Sequence, residues 1–211
     1  MDAIVVPSRH AADGPRTLYR LQVSTGSTLG ALAACCGAIV VDHGWLRLLG
    51  SGVDGLPGLA EANGLDEPGE QSAPPGHLVV AHDVVGGTFA VNGGSLPGDP
   101  GEICYFGPDN LRWTAVGLPG HSALIRWALS GGLADTFADL RWPGWEQQAQ
   151  TAGPGQALFT YPPLWAAESG GSAAQRSIVP LSEVLDSRDE FARQLGDTPD
   201  GQLVRIKIVG S

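Results

Sequence analysis

The chain has 211 residues, 43% of them hydrophobic and 16% charged, a size and balance that let one core form without disulfide or metal staples. Twelve basic residues against 22 acidic give a net charge of −10, a field that repels phosphate backbones and argues against nucleic-acid binding through a basic groove. Lys207 is the sole lysine, which excludes a P-loop, a pyridoxal Schiff base and a Ser–Lys nucleophile, since each needs a lysine inside a defined motif.

In chain order, residues 4–6 form a short strand that stops at Pro7. Residues 16–23 are ambiguous between helix and strand, with helix favoured. Ser27-Thr28 offers an N-cap for a small Ala-rich helix over 29–36, which Gly37 stops. The apolar run 38–41 reads as a buried strand, and residues 45–49 as a second one after the turn at Gly44. Residues 50–76 are rich in Gly, Pro and acids; they predict a long loop with at most one helical turn at 59–63, and a surface tip at 66–76 bearing Asp66, Glu67 and Glu70.

Four runs follow at intervals of about ten residues, at 77–83, 88–92, 102–106 and 112–116. Gly86-Gly87, Gly93-Gly94 and Pro108-Asp109-Asn110 punctuate them, the pattern of an antiparallel meander. Ser122 then caps a helix running to Leu129. After Gly131-Gly132 a second helix resumes over 133–140, with Leu133, Phe137 and Leu140 at helical spacing. Residues 141–180 read as mostly irregular. A last helix fits 182–195, and a closing strand at 203–209 lies within a C-terminal extension, 196–211. The expected fold is a single α+β domain over 1–211, an antiparallel β-meander flanked by helices.

No window approaches 18 apolar residues, so no membrane span is expected. Residues 1–6 lack the basic and apolar regions of a secretory signal. Cys35, Cys36 and Cys104 are odd in number and lack metal-ligand spacing. They read as free thiols in a reducing cytoplasm, with no disulfide framework and no structural metal.

Gly50-Ser51-Gly52-Val53-Asp54-Gly55 matches a dinucleotide-binding glycine pattern, but Pro57 and Gly58 stand where the long helix should open, so the match is a coincidence of glycine content. Gly26-Ser27-Thr28-Leu29-Gly30 has Thr where a nucleophile elbow needs Ser. Two acid–histidine pairs, Asp42-His43 and His82-Asp83, each close a predicted strand. If those strands were neighbours, the four side chains could gather for acid–base chemistry or divalent-metal binding. Two observations oppose this: adjacent strand residues face opposite ways, and Asp and His also end strands simply because they suit turns. Aromatics concentrate in Trp142-Pro143-Gly144-Trp145 and Tyr161-Pro162-Pro163-Leu164-Trp165. Rings on Pro-stiffened segments suit a binding patch or a cover over a pocket, or they pack the core where regular structure is lacking. Arg141, beside Trp142, suits a carboxylate or an aromatic face.

Eight strings in order resemble a bacterial domain-of-unknown-function family, number 2625: STLGALA (27–33), VDHGWLRLLGSG (41–52), LPGLAEANGL (56–65), VAHDVVGGTFAVNGG (80–94), GEICYFGPD (101–109), WALSGGL (127–133), LRWPGW (140–145) and YPPLW (161–165). The likeness spans roughly residues 17–195 and implies no assigned activity. The order of elements is also similar to the SUKH superfamily, as is the run Asp83 to Gly93. That superfamily includes bacterial immunity proteins that bind toxin domains, so the resemblance implies a SUKH-like α+β fold and a protein partner.

The expectation is a cytoplasmic, non-enzymatic protein-interaction module of immunity type. Its acidic charge steers a basic partner, and Trp45, Arg141, Trp142, Trp145, Tyr161 and Trp165 anchor it. The rival is a small-molecule binder or enzyme in which Asp42, His43, His82 and Asp83 work under a Trp/Tyr-rich cover. A homo-oligomer built on the same aromatics is a third possibility. Neither cofactor nor resident metal is expected, and neither nucleic acid nor membrane.

Overall fold

The computed structural model describes residues 2–65, 75–166, 169 and 174–196. The acidic loop residues Asp66, Glu67 and Glu70 and the closing strand expected at 203–209 lie outside them.

Seven strands form one antiparallel sheet in strict chain order: β1 (Ala3–Val6), β2 (Ala38–Val41), β3 (Leu46–Leu49), β4 (His77–Asp83), β5 (Thr88–Asn92), β6 (Ile103–Gly107) and β7 (Arg112–Ala115). The expected α+β architecture is therefore present, with the meander extended by β1 to β3. Short links fix the order from β2 to β3 and from β4 to β7, because a tight connection returns the chain to the strand just made, whereas the connections into β2 and β4 span residues 7–37 and 50–76. A bulge between Val79 and Ala81 resets the β4–β5 register, so that Arg47, His82, Thr88 and Phe106 stand opposite one another across four strands. Leu48, Ala81, Phe89 and Tyr105 make the adjacent row, on the other face.

Each row meets a different layer. Phe89 and Tyr105 meet Phe137 at ring-centroid distances of 6.3 and 5.6 Å, and Phe89 meets Trp127 at 5.9 Å. These partners come from helix α4 (His121–Leu129) and from the end of α5 (Gly132–Thr136). Helices α1 (Asp13–Leu21), α2 (Thr28–Cys35) and the short α3 (Leu59–Ala62) precede them in the chain, and Leu32 and Ala33 of α2 and Leu59 of α3 enter the same core. The opposite face meets a second sheet, β8 (Gln156–Tyr161) paired with β9 (Gln175–Pro180), and the 15-residue helix α7 (Leu181–Leu195). Leu158 donates its backbone N–H to the Val84 carbonyl at 2.6 Å, and Arg188 of α7 lies 4.6 Å over the Phe106 ring.

Several local expectations change. The stretch 141–180 holds more regular structure than expected: α6 (Trp145–Thr151) and the β8–β9 hairpin. Helix α6 buries only Ala149, so it shows no apolar stripe, while the hairpin's strands stand thirteen residues apart across two prolines and a Ser/Gly run. The expected helix over 133–140 breaks at Phe137 into α5 and a 3-10 turn at Ala138–Leu140. Gly120, not Ser122, holds the N-cap position of α4. Ser27 does cap α2, accepting the Gly30 N–H at 3.0 Å.

Candidate functional site

The β2–β3 turn is the seed of the most elaborate surface cluster. Asp42, His43 and Gly44 all adopt positive φ, at 55°, 56° and 87°, the left-handed turn that antiparallel strands favour. A Cβ on Gly44 would meet the Ala149 carbonyl oxygen at 2.8 Å, so glycine lets α6 press against the turn. Asp42 and His43 thus belong to the turn itself, and the alternation expected of strand residues does not apply to them.

Five of the sequence-selected residues, Asp42, His43, Trp45, Trp142 and Trp145, assemble here with Arg141. Its guanidinium pairs with the Asp42 carboxylate and lies 3.9 Å over the Trp145 ring and 4.8 Å over Trp45. Trp45 meets Trp145 edge-on at 5.2 Å and Trp142 at 6.1 Å. Arg176 of β9 closes the ladder 3.9 Å over Trp142. Trp45 is fully buried, so it supports the outer rings from beneath and cannot itself meet a partner; Trp142 and Trp145 are half-buried. His43 stands at the ladder's end, 5.9 Å from Trp145, with its Nδ1 taking the Gln150 Nε2–H at 2.7 Å. Its backbone N–H donates to Asp2 Oδ1 at 2.9 Å and holds that carboxyl below its ordinary range. Asp2, Asp42 and His43 bring ligand atoms within 4.8 Å of one another, but the Arg141 cation already occupies Asp42.

Replacing Arg141 with methionine is expected to cost about 3 kcal/mol, because it strands the largely buried Asp42 carboxylate and removes two cation–π contacts. Urea denaturation of R141M, D42N and the double variant checks this. The double variant should lose clearly less than the sum of the two single losses.

His82 and Asp83 form a separate set, since β3 separates β4 from β2; the four acid and histidine side chains do not share one site. As strand neighbours they do face opposite ways. His82 Nδ1 is 3.0 Å from Thr88 Oγ1, which also accepts from Arg188 at 2.6 Å. Asp83 Oδ1 accepts the Val85 and Gly87 N–H groups at 3.0 and 2.7 Å, and Oδ2 accepts the Tyr105 hydroxyl at 2.7 Å. Glycine at 87 is required, because a Cβ there would overlap both Asp83 Oδ2 and the Tyr105 hydroxyl. Burial, aided by the Arg188 and Arg47 charges, pushes His82 down to about 3, so its imidazole is neutral. Burial also lifts the Asp83 carboxyl against its three donors and, with the Asp83 charge, raises the Tyr105 phenol well above its usual value. Arg47, fully buried opposite His82, is lowered by burial to about 10 and stays cationic at neutral pH. Sequence reasoning passed over Arg47; its signal is a lone charge within Trp45-Leu46-Arg47-Leu48-Leu49. Asp2, Tyr105, Gln150, Arg176 and Arg188 carried no such signal.

Tyr161 is exposed on β8, and Trp165 packs against Phe191 of α7 at 5.2 Å. The six residues expected to form one binding patch therefore divide into a ladder of four and a separate pair.

Among the described residues no helix is long and apolar enough to cross a membrane. No solved structure matches this chain, and the SUKH likeness, drawn from element order and the run Asp83 to Gly93, is shown by none of the comparisons. The chain is 36% identical over 169 residues to the uncharacterised protein YbfG of Escherichia coli strain K12, covering 80% of this chain and 76% of that one. It is 33% identical over 159 residues to an uncharacterized protein of Haemophilus influenzae, covering 75% of this chain and 69% of the relative. The sequence pattern of the family described as "Protein of unknown function DUF2625" matches residues 2–184, and the chain belongs to that family.

Proposed function

We propose that this protein is a non-enzymatic protein-interaction module that receives a strand from a basic partner along the outer edge of β1. The observation that carries this reading is the exposure of Ile4 (59%) and Val5 (64%) on the terminal strand of the sheet, which has no described neighbour on its outer side. An open edge offers a row of unpaired N–H and C=O groups, and side chains on alternate faces add specificity. The edge runs from Asp2, which bonds His43, and His43 abuts Trp145. The Asp2 end of β1 is thereby linked through His43 to the Trp145 end of the ladder. The net charge of −10 favours fast encounter with a basic partner. The immunity role implied by the SUKH likeness is the case in which that partner is a toxin domain. The buried pair supports the non-catalytic reading: the Asp83 carboxylate is saturated by its three donors, and His82 is buried and neutral.

Lysines at the edge test it. Affinity capture from the native host should return a basic protein with the wild-type chain, and at least tenfold less of it with the I4K/V5K double variant, whose exposed positions leave folding stability within about 0.5 kcal/mol. Equal capture of the same protein by both chains would remove β1 from the interface.

A further inference from the structure

A cavity of about 270 Å³ lies between the main sheet and the α4–α5 pair, lined by Phe89, Tyr105, Val116, Leu118, Trp127 and Thr136. It shares no lining residue with the β1 edge or with the ladder around Arg141. Phe89, only 1% exposed, lies deepest, and the exposed Thr136 marks the mouth. The Tyr105 and Trp127 rings stand 4.7 and 5.9 Å from the Phe89 ring. Both are held by groups outside the lining. The Tyr105 hydroxyl donates to Asp83, and the N–H edge of the Trp127 indole lies against Gly132, where a Cβ would overlap it.

The lining sets the character of a ligand. None of the six residues is charged. The charges felt at the Tyr105 hydroxyl come from Asp83, Asp109 and Arg188, which do not line the cavity. Arg126 and Asp135, the chain neighbours of Trp127 and Thr136, are exposed. An ion entering here would shed its hydration and meet no counter-charge on the wall. Half of the lining residues are aromatic, and a ring gains more from tilted or edge contact with other rings than area burial alone supplies. The volume exceeds the ~150 Å³ at which an apolar cavity stays dry and encloses benzene. One ring therefore enters freely, and two fused rings fill the space better.

We propose that this cavity binds an uncharged aromatic molecule of one or two rings, held by ring contacts with Phe89, Tyr105 and Trp127. Val116 and Leu118 close its side from the segment after β7. The site goes beyond the strand-addition role of β1 and does not depend on it.

Titration of the full-length protein by two-dimensional NMR tests this through the Trp127 indole N–H signal, assigned by its loss in W127F. The other five tryptophans report on the fold. Indole and benzyl alcohol are the neutral aromatic probes. Cyclohexylmethanol is the saturated counterpart of benzyl alcohol, and tryptamine and indole-3-acetate are a cation and an anion on the indole ring. The expected result is a saturable shift of the Trp127 signal with indole and benzyl alcohol. Affinity should be at least tenfold weaker for cyclohexylmethanol than for benzyl alcohol, and at least tenfold weaker for either ion than for indole. V116F, which fills the cavity from its side, should abolish the shift. If V116F disturbs the other indole signals, the five wild-type titrations decide alone. No saturable shift with any probe overturns the site, as does an undiminished shift in a folded V116F. Equal affinity for benzyl alcohol and cyclohexylmethanol overturns the assignment to aromatic ligands, and an ion that binds as tightly as indole overturns the assignment to uncharged ones.

Discussion

Replacing Asp83 with alanine is expected to destabilise the protein by about 4 kcal/mol, enough to unfold a large fraction of a marginally stable chain. The carboxylate is fully buried and collects three donors: two backbone N–H groups of the β4–β5 turn and the Tyr105 hydroxyl. Alanine leaves all three buried without an acceptor, each at a cost of about 1–3 kcal/mol. It also removes a counter-charge from Arg47, which is buried as a cation. Y105F deletes one donor and keeps the carboxylate paired, so its loss should be nearer 2 kcal/mol. Urea denaturation midpoints at constant m-value measure both. A loss below 1 kcal/mol for D83A would mean that the turn is held by something other than this carboxylate.

Acid should destabilise the protein well before its carboxylates are protonated. Burial lowers His82 to about 3 and His121 to about 4, from an ordinary 6.5. Both are neutral in the folded chain across the window from about 6.5 to 4, where unfolded imidazole takes up protons. The unfolded state then binds more protons, so stability falls as pH falls. At pH 5 each histidine accounts for about 2 kcal/mol of loss relative to pH 7. Asp83 acts in the opposite sense: its folded carboxyl lies above 3.8, so its contribution grows as pH drops through that folded value and offsets part of the loss. His121 separates the two effects. Both its ring nitrogens are buried without a partner among the described residues, so H121L should match or exceed the wild type in stability at pH 7 and lose about half as much on going to pH 5. An unchanged pH slope in H121L would show that His121 is protonated in the folded state.

What the sequence revealed follows from how local each signal is. The strands between Ala38 and Ala115 were legible because apolar runs and glycine turns recur at short range, and a meander needs nothing else. The opposition of His82 and Asp83 was legible for the same reason, as strand alternation is a two-residue rule. The pairing of Asp42 with Arg141 was not, because 99 residues separate them and only the packing of α6 on the β2–β3 turn brings them together. Trp45 lay within a run that already read as core, whereas Trp142 and Trp145 flank Pro143-Gly144, which suggested a loop. The β8–β9 hairpin hid for want of a short turn between its strands. Arg47 was visible in the sequence as the one charge in an apolar strand, and its position opposite His82 is what makes that charge meaningful.

The central claim concerns the edge of β1, and amide hydrogen exchange on the captured complex tests it most directly. Partner binding by strand addition should slow exchange at the outward-pointing amides among residues 3–6 by at least tenfold, while the exposed end of α1 near Tyr19 is unchanged. Unaltered exchange along β1 in a stoichiometric complex would contradict the account and move the interface elsewhere on the protein.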